Sequence, residues 1–586
     1  RLDSSSDATT LTGRDLFFEG PTSTITGALP DSERLTLSSS RVARFDAAVT
    51  ALRSLAVVAM TRIDLNAGTV TTLEDQAYSG AVRVDSAGGL TKLAGRDLRW
   101  TATLAGGTVA HRLSITGREI DFAGGPATVS NLAQLSLGGG SGATAILLGG
   151  AADLGANTLD ITTTDLAALA TSVSLLTVGG TGPAGLLPIG VEAAAFPQSL
   201  ELRAPGAQVT LRGNLSVTGD LLVEGPLRLE TPGNSTTVTA HLVQFMGTVK
   251  GGDPAGRLLL VAEEVGFLGG ANSVGTLAEL AVQAASGVTG YRLGGGTDSG
   301  PTTLDLTDAD LAAIDASTAL VTVGASGTAG GLPIVVDSTL LATSVALRAE
   351  SATITLVGGV KTLGQQQFFG PVRLDHPADT TTLDGTEIAF FGSATTIDSV
   401  VAGSEGLVIN AAVAARLEGA VGSGAALRQL TVTAPQAVRL NGGAIFTTQD
   451  QQYTGPVTLG SASTSTLLSG RAILFPTVLS TVSSARATGG DAGPAQSLQV
   501  VATGRVLFAG AVGAVNDAID PADRLQALDV SAAADIVLRP TANSLAATAL
   551  PGVLTIGPQR YVSGGEISSG ARARLQSETG TLQLFT

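Results

Sequence analysis

Acid–base chemistry near neutral pH would begin with histidine, and the chain has three: His111, His241 and His376. They show no metal-ligand spacing and stand at unrelated positions of the repeat described below, so each is expected to be solvated or turn-facing. Polysaccharide cleavage would need converging carboxylates. The nearest pairs are Glu263 with Glu264 and Asp517 with Asp520. Neighbours along a strand point to opposite faces, so Glu263 and Glu264 are not expected to act together. Asp308, Asp310 and Asp315 are a further carboxylate candidate, set against a capping role for Asp310. No nucleophile elbow with plausible partners and no phosphate-cradling Gly-Lys-Ser/Thr loop is present; Gly138–Gly140 and Gly294–Gly296 read as turns. With no Cys, thiolate catalysis, thiolate metal sites and disulfides are excluded. No catalytic, cofactor-binding or metal residue is assigned, no cofactor is expected, and the chain reads as a non-enzyme.

Composition narrows the class. The 586 residues are 44 % hydrophobic, 14 % charged and 3 % aromatic, with 76 Gly. Disordered chains are poor in apolar residues and rich in charge, the reverse of this balance. Collagen would need Gly at every third position. No apolar run is long enough to span a membrane as a helix. A net charge of −16 without any Lys/Arg run argues against nucleic acid. The cations are nearly all Arg; the lysines are Lys92, Lys250 and Lys361.

The dominant signal is an internal repeat. Gly80-Ala81-Val82-Arg83-Val84, Gly225-Pro226-Leu227-Arg228-Leu229 and Gly370-Pro371-Val372-Arg373-Leu374 recur 145 residues apart, and Gly455-Pro456-Val457 follows after 85. Asp165-Leu166-Ala167-Ala168-Leu169 with Leu176-Thr177-Val178-Gly179 recurs as Asp310-Leu311-Ala312-Ala313-Ile314 with Val321-Thr322-Val323-Gly324, again at 145. A weaker copy ends at Leu554-Thr555-Ile556-Gly557. Units are therefore long or short, according to whether they carry this extra block. The expected division is 1–82 short, 83–227 long, 228–372 long, 373–457 short and 458–586 an incomplete long unit. The opening Arg1-Leu2-Asp3 matches Arg373-Leu374-Asp375, which places the start inside a unit. The chain is expected to be a window of a longer array, or a subunit whose ends adjoin its neighbours.

Within units the recurring form is apolar-x-Gly-x-x-apolar-x-aromatic, as in Leu93 to Trp100, Ile115 to Phe122, Leu383 to Phe390 and Leu468 to Phe475. Period-two alternation with Val, Ile, Thr and Phe predicts short strands, and Gly, Asn and Asp between them mark turns. A unit that grows from 85 to 145 residues without disturbing its flanks suits rung-on-rung stacking better than a closed sandwich. The predicted fold is all-β: a right-handed parallel β-helix (solenoid) with short helical insertions, of about 22 residues per coil and ~26 coils. Thr162 with Asp165 and Thr307 with Asp310 have capping-box spacing. They predict a short helix in each extra block, projecting as a lateral bump.

Phe508-Ala509-Gly510-Ala511-Val512-Gly513 with Leu525, Leu528 and Val530, and Leu417-Glu418-Gly419-Ala420-Val421-Gly422 with Leu427, Leu430 and Val432, join the Gln-x-Tyr-x-Gly-Pro-Val form at Gln451 to Val457. Together these resemble the repeats of filamentous-haemagglutinin-like exoproteins of Gram-negative bacteria, of two-partner-secretion or autotransporter type. The resemblance covers essentially the whole chain. It implies export, an extracellular or bacterial outer-surface location and a β-helical fibre; its motifs are architectural and carry over no functional residue. Two functions are expected to compete. One is a structural rod in a surface fibre or extracellular filament, associating with itself head-to-tail or laterally. The other is an adhesin segment binding a cell surface or a glycan, which would present clustered aromatics or Arg. A β-helical polysaccharide-degrading enzyme is the remote alternative. Only Trp100 and four tyrosines, Tyr78, Tyr291, Tyr453 and Tyr561, are on hand for such a face, and two of those tyrosines are repeat positions, so the structural rod is the favoured expectation.

Overall fold

A computed structural model describes all residues except 1, 3–6, 20–23, 152–154, 156, 181–184, 232, 234, 253–254, 326–330, 338–339, 343, 377–379, 485–494, 514–523, 540–552, 570–574 and 578. The fold is a parallel β-solenoid of about 23 turns, 55 % strand and 3 % helix. Packing divides the chain into two compact units: Arg1–Leu280 with Ala313–Ser317, and Ala281–Ala312 with Thr318–Thr586.

In the first unit an eleven-stranded sheet runs from Thr24–Ile25 to Glu264–Phe267. Its register gives the length of a coil. Leu90 pairs with Arg112 and Arg112 with Gln134, a step of 22 residues each time. The next step, Gln134 to Leu175, takes 41 residues, because that coil contains the extra block. Coils of this kind bring the number of turns below the expected ~26. Arg112–Gly117 alternates between solvent and interior along its length, the period-two pattern of a sheet covered on one face.

Parallel in-register pairing sets each interior side chain on its counterpart one coil away. Aromatic rings consequently form stacks: Tyr78 on Trp100 at 5.6 Å between centroids, Trp100 on Phe122 at 5.4 Å and Phe245 on Phe267 at 5.9 Å. The second unit repeats the arrangement with Phe368 on Phe390 at 4.6 Å, and with Tyr453, Phe475 and Phe508 in series at 5.3 and 4.9 Å.

The extra block is built the same way in both copies. Ala145–Leu148 pairs in parallel with Thr158–Ile161 only 13 residues later, and Gly290–Leu293 pairs likewise with Thr303–Leu306. A helix follows each small loop: α1 (Thr163–Ala167) and α2 (Asp308–Ala313). The predicted capping boxes form. Thr162 donates its amide to Asp165 Oδ2 at 3.0 Å and accepts the Asp165 amide on its hydroxyl; Thr307 and Asp310 do the same. Helix α1 does not project as a bump, however. Leu166, Ala168 and Leu169 are buried, Leu169 bridges to Val129, and Asp165 Oδ1 accepts the buried main-chain N–H of Phe122 at 2.8 Å. The helix thus closes the edge of the sheet formed by Gln76–Ser79, Asp97–Trp100 and Glu119–Phe122. Its carboxylate satisfies a donor that the next strand would otherwise have met.

Closing that edge has a topological result. Gln76–Ser79 and Leu221–Glu224 hold the same place in the 145-residue repeat. The first stacks below Asp97–Trp100. The second lies in the other sheet, the one containing Leu90–Ala94 and Arg112–Gly117. Within the first unit, the block therefore moves every later landmark to a different face of the solenoid.

Two outcomes test this packing. Trp100 stacks on both sides, and its buried indole N–H has no hydrogen-bond partner. Trp100→Phe is expected to stay within about 1 kcal/mol of wild type, whereas Trp100→Ala should lose ~3–5 kcal/mol, read by circular dichroism during urea unfolding. Asp165→Ala removes the acceptor for Phe122 and Thr162 together and should cost about 1–3 kcal/mol in the same assay.

Candidate functional site

The repeat's most specific motif proves to be an interior lock. Thr72, Thr362, Thr447 and Thr555 each stand four residues before Gln76, Gln366, Gln451 and Gln559, all four amides being fully buried. At Gln451, Nε2 donates to Ile445 O at 3.2 Å, Thr447 Oγ1 at 3.3 Å and, one coil on, Ser469 O at 2.8 Å. Gln76 and Gln366 repeat the three contacts. The threonine hydroxyl donates onward to main-chain oxygen at Glu74, Gly364, Gln449 and Gly557. The acceptor side of the amide is met by the aromatic two residues later: Tyr78 and Tyr453 donate to Gln76 and Gln451 Oε1 at 2.9 Å, and Tyr561 to Gln559 at 3.2 Å. Burial holds these phenols far above their ordinary pKa. At the remaining copy the aromatic is Phe368, and Gln366 Oε1 is left without a partner.

The lock also accounts for a glycine of the strand motif. A Cβ at Gly95, Gly385 or Gly470, one coil away, would lie 2.9, 2.9 or 2.6 Å from the Thr72, Thr362 or Thr447 hydroxyl. The landmark glycines serve the turn instead: Gly80, Gly225, Gly370 and Gly455 have φ of 137°, 128°, 129° and 121°, open only to glycine.

The residues with chemical potential are placed as follows. His111 is not solvated; it is buried, its Nε2 3.0 Å from Thr91 Oγ1, and burial pushes its pKa down. It lines an open cleft of about 610 Å³ with Asp46, Asn66 and Asp85, where Arg44 and Arg83 pair with the two carboxylates. His241 is exposed but not without partners: Asp220 and Glu263 lie against its two ring nitrogens. His376 is half-buried. Glu263 faces His241, while Glu264 accepts the Val265 amide on Oε1 at 3.1 Å, so the adjacent pair serves two different partners. Asp310 caps α2. Asp315 accepts the Ser317 amide at 2.8 Å, and hydrogen bonds from Ser317 hold its pKa down. Asp517 and Asp520 lie outside the described residues. Gly294 and Gly295 adopt positive φ, as turns require. A second cleft, of about 690 Å³, is lined by Arg228, Lys250, Gln208 and Thr248.

Arginines tie neighbouring coils together. Arg96 reaches Asp75 at 2.7 Å, Arg53 reaches Glu74 at 3.0 Å, and Arg471 grips Asp450 through two nitrogens at 2.8 and 2.9 Å. The Arg471 hydrogen bonds keep the Asp450 carboxyl below its ordinary pKa. A planar fork spanning one coil step suits arginine better than lysine.

Trp100 and all four tyrosines are interior. Tyr78, Tyr453 and Tyr561 belong to the repeat lock, and Tyr291 accepts the Ala284 amide on its hydroxyl at 2.9 Å. The exterior aromatic cluster consists of phenylalanines instead. In the second unit Phe369 stacks on Phe391 at 5.0 Å, Arg348 lies 3.9 Å over Phe369, and Arg416 lies 5.4 Å from Phe391. Arg416 in turn pairs with Glu418. Nothing in the repeat marks this cluster; its signal is the doubled Phe368-Phe369 and Phe390-Phe391, whose second members fall on the outer face. With ring faces occupied by one another and by guanidinium groups, the ladder presents ring edges and cations to solvent.

Comparison with family models, with curated proteins and with solved structures finds no match to this chain.

The lock makes opposite demands of its two variants. Tyr453→Phe should destabilise by about 1–3 kcal/mol, because it orphans a buried acceptor; Phe368→Tyr should stabilise by about 0.5–1.5 kcal/mol by supplying the missing donor. Urea midpoints of both variants against wild type give the answer.

Proposed function

We propose that this chain is a structural segment of a secreted β-helical rod, contributing to a bacterial cell-surface fibre or extracellular filament. The observation that carries the reading is where the chain places its specific chemistry. The amide locks, the ring stacks, Asp165 at the cap of α1 and the Arg53, Arg96 and Arg471 ion pairs act from one coil to the next. A molecule built in this way resists being pulled apart along its stack. Self-association, head-to-tail or lateral, is the partner interaction this reading entails, since parallel strands offer main-chain donors and acceptors to further strands. Extracellular placement follows from the resemblance to filamentous-haemagglutinin-like repeats.

The exterior Arg348–Phe369–Phe391–Arg416 cluster favours a second reading, an adhesin segment that contacts a cell surface or glycan. One set of measurements separates them. Analytical ultracentrifugation with negative-stain electron microscopy should find elongated particles that lengthen or bundle as concentration rises. A compact monomer at all concentrations overturns the structural reading. Retention on a glycan array that is lost on Phe369→Ala with Phe391→Ala would establish the adhesive one in its place.

A further inference from the structure

We propose that His241 is a proton-operated tie joining three successive coils of the first unit. The coils are consecutive by register: Leu221 pairs with Val243, and Leu242 with Glu264. At their shared corner the His241 amide donates to Gly219 O, and the Glu263 amide donates to His241 O, both at 2.9 Å. The side chains at the corner form a column. His241 Nδ1 lies 2.8 Å from Asp220 Oδ1 on one neighbouring coil, and Nε2 lies 3.2 Å from Glu263 Oε2 on the other.

Both partners are acceptors when ionised, so both ring nitrogens must donate. A neutral imidazole carries one N–H and one lone pair, and the lone pair would face a carboxylate oxygen. The imidazolium alone satisfies both contacts. Protonation fastens the corner; deprotonation leaves one carboxylate opposed and releases it. The charged groups facing the ring are Asp220 and Glu263. Glu264, beside Glu263, turns its carboxylate back to the Val265 amide. The ring stands between the two acids and keeps them from converging on a single cation, which distinguishes the corner from a metal site.

The hydrogen bond to Asp220 is the largest influence; burial opposes it, the charges of Glu263 and Asp220 reinforce it, and together they lift His241 above its ordinary 6.5. A group lifted in this way stabilises the folded corner while it is protonated. While Asp220 and Glu263 are ionised, the tie is therefore complete below pH 6.5 and is lost as pH rises through the lifted value. The ring is more than half exposed, so the effect is local to this corner.

The test uses the full chain with 13C-labelled histidine. One of the three imidazole signals, assigned by its loss in His241→Asn, should titrate above 6.5. In the Asp220→Asn, Glu263→Gln variant that midpoint should fall toward the ordinary value. Amide exchange at His241 and Glu263, corrected for intrinsic rates, should be slower at about pH 5.5 than at about pH 8 in wild type, and this difference should vanish in the double variant. A His241 midpoint at or below 6.5, or a midpoint unmoved by the double substitution, overturns the proposal. So does corner exchange with the same pH dependence in both proteins. Should the double variant fold poorly, the single variants Asp220→Asn and Glu263→Gln, each removing one exposed acid, are read by the same midpoint: a fall supports the tie and an unmoved value overturns it.

Discussion

Parallel strands paired in register impose one condition on every side chain: its nearest neighbour is whatever occupies the same position one coil away, ~4.8 Å off. Side chains that repel or clash at that distance are penalised in every coil, and those that attract are rewarded in every coil. Phenyl on phenyl, guanidinium on carboxylate and amide on carbonyl are three answers to the same condition. Interior rings stand one above another on successive coils, and arginines pair with carboxylates both along their own strand and across a coil step.

The glutamine lock shows how strictly the condition operates. A buried primary amide has two donors and an acceptor to satisfy. Here the donors find the carbonyl before it, the threonine hydroxyl four residues before it and a carbonyl one coil on, while the acceptor takes a phenol. Thr, Gln, Tyr and the glycine of the neighbouring coil form one object distributed over two coils. Changing any one of them leaves the others without a partner or without room.

Much of this architecture was legible in the sequence, and the boundary of legibility has physical causes. Strands, turns and the long repeat follow from local spacing, and so does the box at Thr162 and Asp165, whose members are three residues apart. The second role of Asp165, closing the sheet at Phe122, joins residues 43 apart and leaves no local trace. Gln76 and its counterparts were visible as landmarks, but their chemistry depended on Thr72 and Gly95, one of them on a neighbouring coil. The burial of His111 escaped the sequence for the same reason, whereas His241 is exposed as expected. His111 is buried against Thr91 and His241 is exposed between Asp220 and Glu263, partners that neighbouring coils bring to them. Phe369 and Phe391 look interior by type, and only the register puts them outside.

The helix block that shuts one sheet has an effect on inheritance. When a stretch of this gene is duplicated with its block, the daughter copy keeps its residues but is turned to point another way. Identical outer side chains then address different directions in space. A chain of this design can gain new sides to present without acquiring a single new side chain.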